Sequence, residues 1–289
     1  MGALISQIHS DDAVRNRIRL LVLPREHGAW GLLLIPFSVG TLVGMPMQRE
    51  HGFSSTALLL TATIALFCAH TPLESYLGLS PMKARTPEEK RVALQALALL
   101  LALAAVSLAL LFRMLGGTEL LVIGMVAGTA LALQGVLRQW GRPTRMLSQA
   151  VGSIALTSTA AAAYFVATGS LDRTALALWF VCWLFAGDQI HYVQVRLRSA
   201  KVGGAKPRVT RSYWFLTGQL VMLALVAAGG YFGQLPPLTA VALVPVVVRG
   251  IFWLKDDSEG LDVPWLGVTE LLHGVTFGVL LTSVFYLHR

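Results

Sequence analysis

Apolar residues run along this chain in long unbroken stretches, and polar residues gather between them. Nine such stretches are legible, at 29–47, 55–75, 92–113, 119–137, 147–168, 172–195, 213–232, 238–254 and 265–287. A helix rising ~1.5 Å per residue needs about 20 residues to cross ~30 Å of hydrocarbon. Most of the stretches have that length; the eighth is the shortest. They are rich in Leu and Ala and show no in-out alternation, so they predict helices and not the strands of a membrane barrel. The pattern predicts an all-α, polytopic membrane protein with nine transmembrane helices.

Composition excludes the other classes. The 289 residues are 55% hydrophobic and only 13% charged, against about 25% charged in a soluble domain. So little charge cannot cover a water-facing surface, which argues against a soluble enzyme, a disordered chain or a nucleic-acid-binding domain. The net charge of +8 then belongs to loops. One set of loops holds Arg15, Arg17, Arg19, Arg25, Lys83, Arg85, Lys90, Arg91, Arg138, Arg142, Arg145, Arg196, Arg198, Lys201, Lys206, Arg208, Arg211 and Lys255, and the other holds only Arg49, Arg113, Arg173 and Arg289. The positive-inside rule places the first set, and with it the N terminus, in the cytoplasm.

The expected organisation is a basic cytoplasmic segment over residues 1–25, followed by a single transmembrane domain over 26–289. The first 25 residues lack the apolar core of a signal peptide, so the first helix is expected to insert uncleaved. The long cytoplasmic connections are 76–91, 196–212 and 255–264. Cys68 and Cys182 sit inside apolar runs and read as small buried hydrophobes. Trp30, Trp140, Trp214, Trp253 and Trp265 fall near helix ends and read as interface anchors.

Ionisable groups inside a bilayer are costly and need a partner or a task. Here they cluster. Glu26 and His27 open the first stretch; His70 and Glu74 close the second; Asp188, His191 and Gln194 close the sixth; Arg249 lies in the eighth; Glu270 and His273 lie in the first turns of the ninth. The expected topology puts all of them in the cytoplasmic half. His70 and Glu74 are spaced i,i+4, while Asp188 with His191 and Glu270 with His273 are spaced i,i+3, so each pair shares a helix face. Glu-x-x-His is also a ligand spacing of two-metal sites in helical bundles. Together with His27, the three pairs predict one polar cavity. Arg249 either snorkels to inner headgroups or contacts an anion there. The basic loop 196–212, with Gly203 and Gly204, suits phosphate oxygens or anionic lipid.

The opening run Pro24-Arg25-Glu26-His27-Gly28-Ala29-Trp30-Gly31 resembles the start of the YwiC-like family of bacterial membrane proteins, over about the first 130 residues. This implies a multi-pass protein of the bacterial inner membrane. A more distant resemblance is to the UbiA superfamily of intramembrane prenyltransferases. It rests on His70-Thr71-Pro72-Leu73-Glu74 and Asp188-Gln189-Ile190-His191-Tyr192-Val193-Gln194, followed by Lys83, Arg85 and Pro87 and by Arg196, Lys201 and Gly203. In that superfamily, aspartate-rich motifs at these places bind magnesium and a prenyl diphosphate inside a nine-helix bundle. Here the first motif has no aspartate and the second keeps only Asp188.

The resemblance implies a UbiA-like bundle and a transferase acting on an isoprenoid diphosphate or similar lipid at a cytoplasm-facing cavity. Metal ligands would come from Glu74, Asp188, His27, Glu270 and His273, substrate contacts from Lys83, Arg85, Arg196, Lys201 and Arg249, and a base from His70 or His191. The divalent cation could be Mg, Mn, Zn or Fe, since imidazole and mixed carboxylates suit the last three better than magnesium. Two other readings stand beside it. One is a metal- or haem-binding membrane protein using His27, His70, His191 and His273. The other is a transporter in which the acid–histidine pairs relay protons or bind a solute. In each the partners are the bilayer and a membrane-borne or small solute, and not nucleic acid.

Overall fold

A computed structural model describes residues 17–24, 27–47, 52–79, 82–141, 144–201, 212–255 and 261–288, and every regular element among them is helical. Ten helices follow in order: α1 (His27–Gly44), α2 (Gly52–Leu77), α3 (Pro87–Leu115), α4 (Thr118–Gln139), α5 (Arg145–Thr157), α6 (Thr159–Thr168), α7 (Arg173–Lys201), α8 (Tyr213–Tyr231), α9 (Thr239–Lys255) and α10 (Val263–Leu287). Residues 17–22 add one short helix before α1.

All nine apolar stretches are helical, but among the described residues eight helices are long and apolar enough to cross a membrane, with α5 and α6 together making one of them. The eighth stretch gives α9, whose 17 residues reach about 25 Å at ~1.5 Å per residue, short of ~30 Å of hydrocarbon. The expected count of nine spans is therefore one more than helix length supports.

Local chemistry sets several helix ends. Thr86 and Glu89 form a reciprocal capping box at the start of α3: Glu89 N–H donates to Thr86 Oγ1 (3.2 Å), and the Glu89 carboxylate accepts from the Thr86 and Arg85 backbone N–H groups (3.4 and 2.6 Å). Arg17 adds a side-chain bond to the same carboxylate. Thr86→Ala removes the cap, and about 0.5–2 kcal/mol of stability should go with it. A thermal melt of the detergent-solubilised protein checks this, and an unchanged midpoint would show that α3 is held by packing alone.

The chain forms two compact units. One comprises Met1–His27 with Phe53–Gly116, and so holds α2 and α3; the other comprises Gly28–Gly52 with Gly117–Arg289. In the first unit, Leu21, Ala93 and Leu111 are fully buried.

In the second unit α7 packs against α5, α6, α8 and α9, and Leu178, Val181, Cys182 and Ala186 are fully buried. The ring of Phe185 on α7 stacks on Phe277 of α10, with centroids 4.0 Å apart. The fifth stretch is broken at Ser158. Hydroxyls of Thr157, Ser158 and Thr159 each bond back to a carbonyl of the preceding turn, Ser153 (2.7 Å), Ala155 (2.7 Å) and Leu156 (2.8 Å). Such side-chain competition bends helices. α1 meets α6 through small residues. A methyl group on Gly40 would overlap the Ala160 carbonyl, and one on Gly44 would lie 2.6 Å from the Ala167 methyl.

Candidate functional site

The second unit holds a buried ionic triad. Arg249 of α9 donates from Nη2 to Asp188 Oδ2 of α7 (2.7 Å) and from Nη1 to Glu270 Oε2 of α10. Their side chains are only 6%, 3% and 9% exposed, in that order. Arg249 therefore does not snorkel outward; two carboxylates hold it inside.

Neighbouring groups fix the triad. The Arg249 guanidinium carbon lies 3.9 Å from the centre of the Tyr192 ring, one turn along α7 from Asp188. This cation–π contact suits a desolvated guanidinium. The Gln189 amide donates to the Glu270 backbone carbonyl (2.7 Å), joining α7 to α10. The Gln219 amide of α8 donates to the Val246 carbonyl of α9 (3.2 Å) and also faces the Asp188 carboxyl. Gly250 permits that approach, because a β-carbon there would stand 2.8 Å from Gln219 Nε2 and 3.0 Å from Phe215 Cε1. Arg249 Nε and Glu270 Oε1 are buried and find no hydrogen-bond partner among the described residues.

Beside the triad lies an aromatic cluster of Tyr192, Phe215 and Trp253, with ring centroids 5.7 to 6.4 Å apart. Trp253 is 4% exposed, so it is a core residue and not the interface anchor expected from its position. Trp140, Trp214 and Trp265 are exposed. Arg196 reaches over Trp253 at 6.0 Å. The edge of His191 meets the face of Phe215 at a centroid distance of 5.5 Å.

A cavity of about 200 Å³ opens between α7 and α8 and is lined by Asp188, His191, Gln219, Trp183, Phe215 and Met222 among others. Its wall includes Gly187 and Gly218, the first with nothing within 4 Å of its β position and the second with only His191 there. Along the two helices, the polar groups Asp188, His191 and Gln219 come together at one end. Trp183, Leu184, Met222 and Leu225 make the other end apolar.

The remaining expected residues are placed as follows. His70 and Glu74 pair within α2 at 2.8 Å, on the first unit. Lys83 and Arg85, on the same unit, are exposed. Asp188, His191, Arg196, Arg249, Glu270 and His273 all belong to the second unit. His273 Nδ1 is 2.7 Å from the Thr269 carbonyl. Of the three acid–histidine spacings, the α2 pair closes on itself within one turn, while Asp188 and Glu270 turn to Arg249. Gln194 bonds Gln149 of α5 (2.9 Å). Glu26 and residues 202–211 lie outside the described residues, as do the side chains of His27 and Lys201.

Among the described residues no three His, Cys, Asp or Glu side chains gather as a metal site. A divalent ion between Asp188 and Glu270 must first displace the Arg249 cation that both carboxylates now neutralise.

Tyr192 as a π partner and Gln219 as a neighbour of Asp188 are not among the residues expected from sequence. Gln219 had a signal: an amide inside an apolar span needs a partner.

No curated protein and no solved structure matches the chain. A family match covers α1 to α5 and most of α6, and leaves the triad helices outside it. Over residues 23–164 this multi-pass membrane protein matches the family described as YwiC-like protein.

Proposed function

We propose that this protein is a proton-coupled membrane protein, with the Asp188–Arg249–Glu270 triad as its charge centre and a solute taken up beside it. One observation carries the reading: a single buried guanidinium is shared by two buried carboxylates. When both acids are ionised the triad holds one unit of negative charge in a medium that penalises it. One proton or one monovalent cation restores neutrality. The cavity beside Asp188 gives a solute a place to meet that charge. The lysine- and arginine-rich loops support a cytoplasmic N terminus, with the protein in a bacterial inner membrane.

Infrared difference spectroscopy across a pH titration tests this. The carbonyl band of a buried, protonated carboxylic acid should appear on acidification and vanish in Glu270→Gln or Asp188→Asn. A spectrum without such a band at any pH would remove proton coupling at the triad.

A second reading keeps the UbiA-like transferase, favoured by the mainly apolar cavity beside Asp188. In it Asp188 and Glu270, with His273, hold a divalent cation after releasing Arg249. Arg196, Lys201 and Arg249 take a diphosphate, and His191 acts as the base. Magnesium- or manganese-dependent binding of a prenyl diphosphate, lost in Asp188→Ala and Glu270→Ala, is its expected signature. Binding that ignores both the metal and the substitutions would exclude it.

A further inference from the structure

We propose that the cavity between α7 and α8 binds a small lipophilic monovalent organic cation, an aryl-alkyl ammonium carrying a single ring. This rests on the reading of the triad as a charge centre and names the class of solute that reaches it.

Size comes first. An apolar cavity of about 150 Å³ is enough to hold benzene, so about 200 Å³ accepts one aromatic ring with a one- or two-carbon amine. The fit of shape and chemistry comes next. Trp183, Leu184, Met222 and Leu225 wall the apolar end, while Asp188, His191 and Gln219 line the other, where the Asp188 carboxyl lies just behind the wall, bonded to Arg249. Phe215 adds an aromatic ring at that polar end. A carboxylate beside an aromatic ring is the combination that holds an organic ammonium ion.

Charge decides the sign of the ligand. Among the described residues no Lys or Arg lines the cavity. Arg249 has given both terminal nitrogens to carboxylates, so it offers no free fork to an anion. The positive groups of α7 lie further off. Arg196 is eight residues beyond Asp188, about 12 Å along the helix, and leans over Trp253; Arg198 lies beyond it and acts on His191. α10 contributes Glu270 and His273 to the field at Asp188. α5 and α8 bring only Ala150 and uncharged residues to the lining. A lipid chain would fill the apolar end but leave the triad's net negative charge uncompensated.

Proton and ligand then neutralise the same charge, so each excludes the other. Acidification, which protonates the carboxylates and charges His191, should weaken cation binding.

The test uses the full chain in lipid nanodiscs, with empty discs subtracted. Benzylammonium is titrated beside benzyl alcohol, a neutral molecule of nearly the same shape, and tryptophan fluorescence and saturation-transfer NMR report binding. Benzylammonium should bind at least tenfold more tightly than benzyl alcohol. Asp188→Asn should remove that preference while leaving benzyl alcohol unchanged. Gly187→Leu fills the cavity from a β position with open space around it, leaves the triad in place, and should abolish binding of both probes even if Asp188→Asn fails to fold. Equal affinities for the two probes, or benzylammonium binding that survives Gly187→Leu, would overturn the proposal. A cation-selective, Gly187→Leu-sensitive site in a protein without the carboxylic-acid infrared band would keep this site and overturn the proton coupling alone.

Discussion

Gly40→Leu should abolish accumulation of folded protein, while Gly124→Ala should leave it intact. The α1–α6 contact is a backbone contact. A side chain at Gly40 would run into the Ala160 carbonyl, with the carbonyl carbon at 2.9 Å and Cα at 3.0 Å from the new β-carbon. Neither atom can rotate away, since both belong to the helix. α1 would have to lift off α6, whose residues Ala160 to Val166 are almost wholly buried. Two hydrogen bonds go with it: Thr159 Oγ1 donates to the Leu33 carbonyl (3.0 Å), and Tyr286 Oη of α10 donates to the Leu42 carbonyl (2.8 Å). Overpacking costs about 1–3 kcal/mol where side chains can adjust, and more where a backbone must move. Stability margins of about 5–15 kcal/mol leave little room for that. Small residues at crossings are how membrane helices approach closely, because lipid supplies no hydrophobic drive between them. Gly124 of α4 has nothing within 4 Å of its β position, and alanine there should help the helix by about 0.5–1 kcal/mol. Fluorescence-detected gel filtration of both variants, followed by thermal melts of Gly40→Ala, reads the difference. A Gly40→Leu variant that elutes and melts like the parent would mean that α1 does not pack on α6.

The helices themselves were legible because burial in lipid demands continuous apolar runs, and nine runs gave nine helical stretches. Two details were not. The break at Ser158 comes from three neighbouring hydroxyls turning on their own backbone, which a hydropathy pattern averages away. The shortfall of α9 is a matter of about three residues, too few for an apolar boundary read from sequence to reveal. For the site, the cost of ionisable groups in lipid picked out Asp188, Glu270 and Arg249, but not that the arginine pairs with both acids. Spacing within a helix can report only neighbours one turn away, as with His70 and Glu74. Arg249 reaches Asp188 across 61 residues and Glu270 across 21, and that pairing is a product of packing. The burial of Trp253 is of the same kind: tryptophan near a helix end looks the same in sequence whether it faces headgroups or Phe215.

Arg249→Met should cost more stability than removing all three charges together. Deleting the guanidinium alone leaves Asp188 and Glu270 facing each other's charge in a buried site, with no cation in contact. Breaking a buried ion pair in this way costs about 3–5 kcal/mol, because the remaining charge keeps its desolvation penalty and loses its compensation. Protonation of both acids is the protein's only local relief, so the loss should be worst at high pH and shrink on acidification. The triple variant Asp188→Leu, Arg249→Met, Glu270→Met removes attraction and penalty together. Replacing a buried ionic group by apolar side chains of similar volume is often neutral or stabilising by about 1–4 kcal/mol, so the triple variant should melt at or above the parent and lose its dependence on pH. The order expected in thermal melts is therefore triple variant, parent, then Arg249→Met, with the last two converging at low pH. If Arg249→Met melts with the parent at every pH, the carboxylates are hydrated and the site is not the dry charge centre described. If the order holds, the triad is a stability cost that the fold carries, and a triple variant that folds well but lacks the carboxylic-acid band and the preference for benzylammonium would locate its value in proton and cation binding.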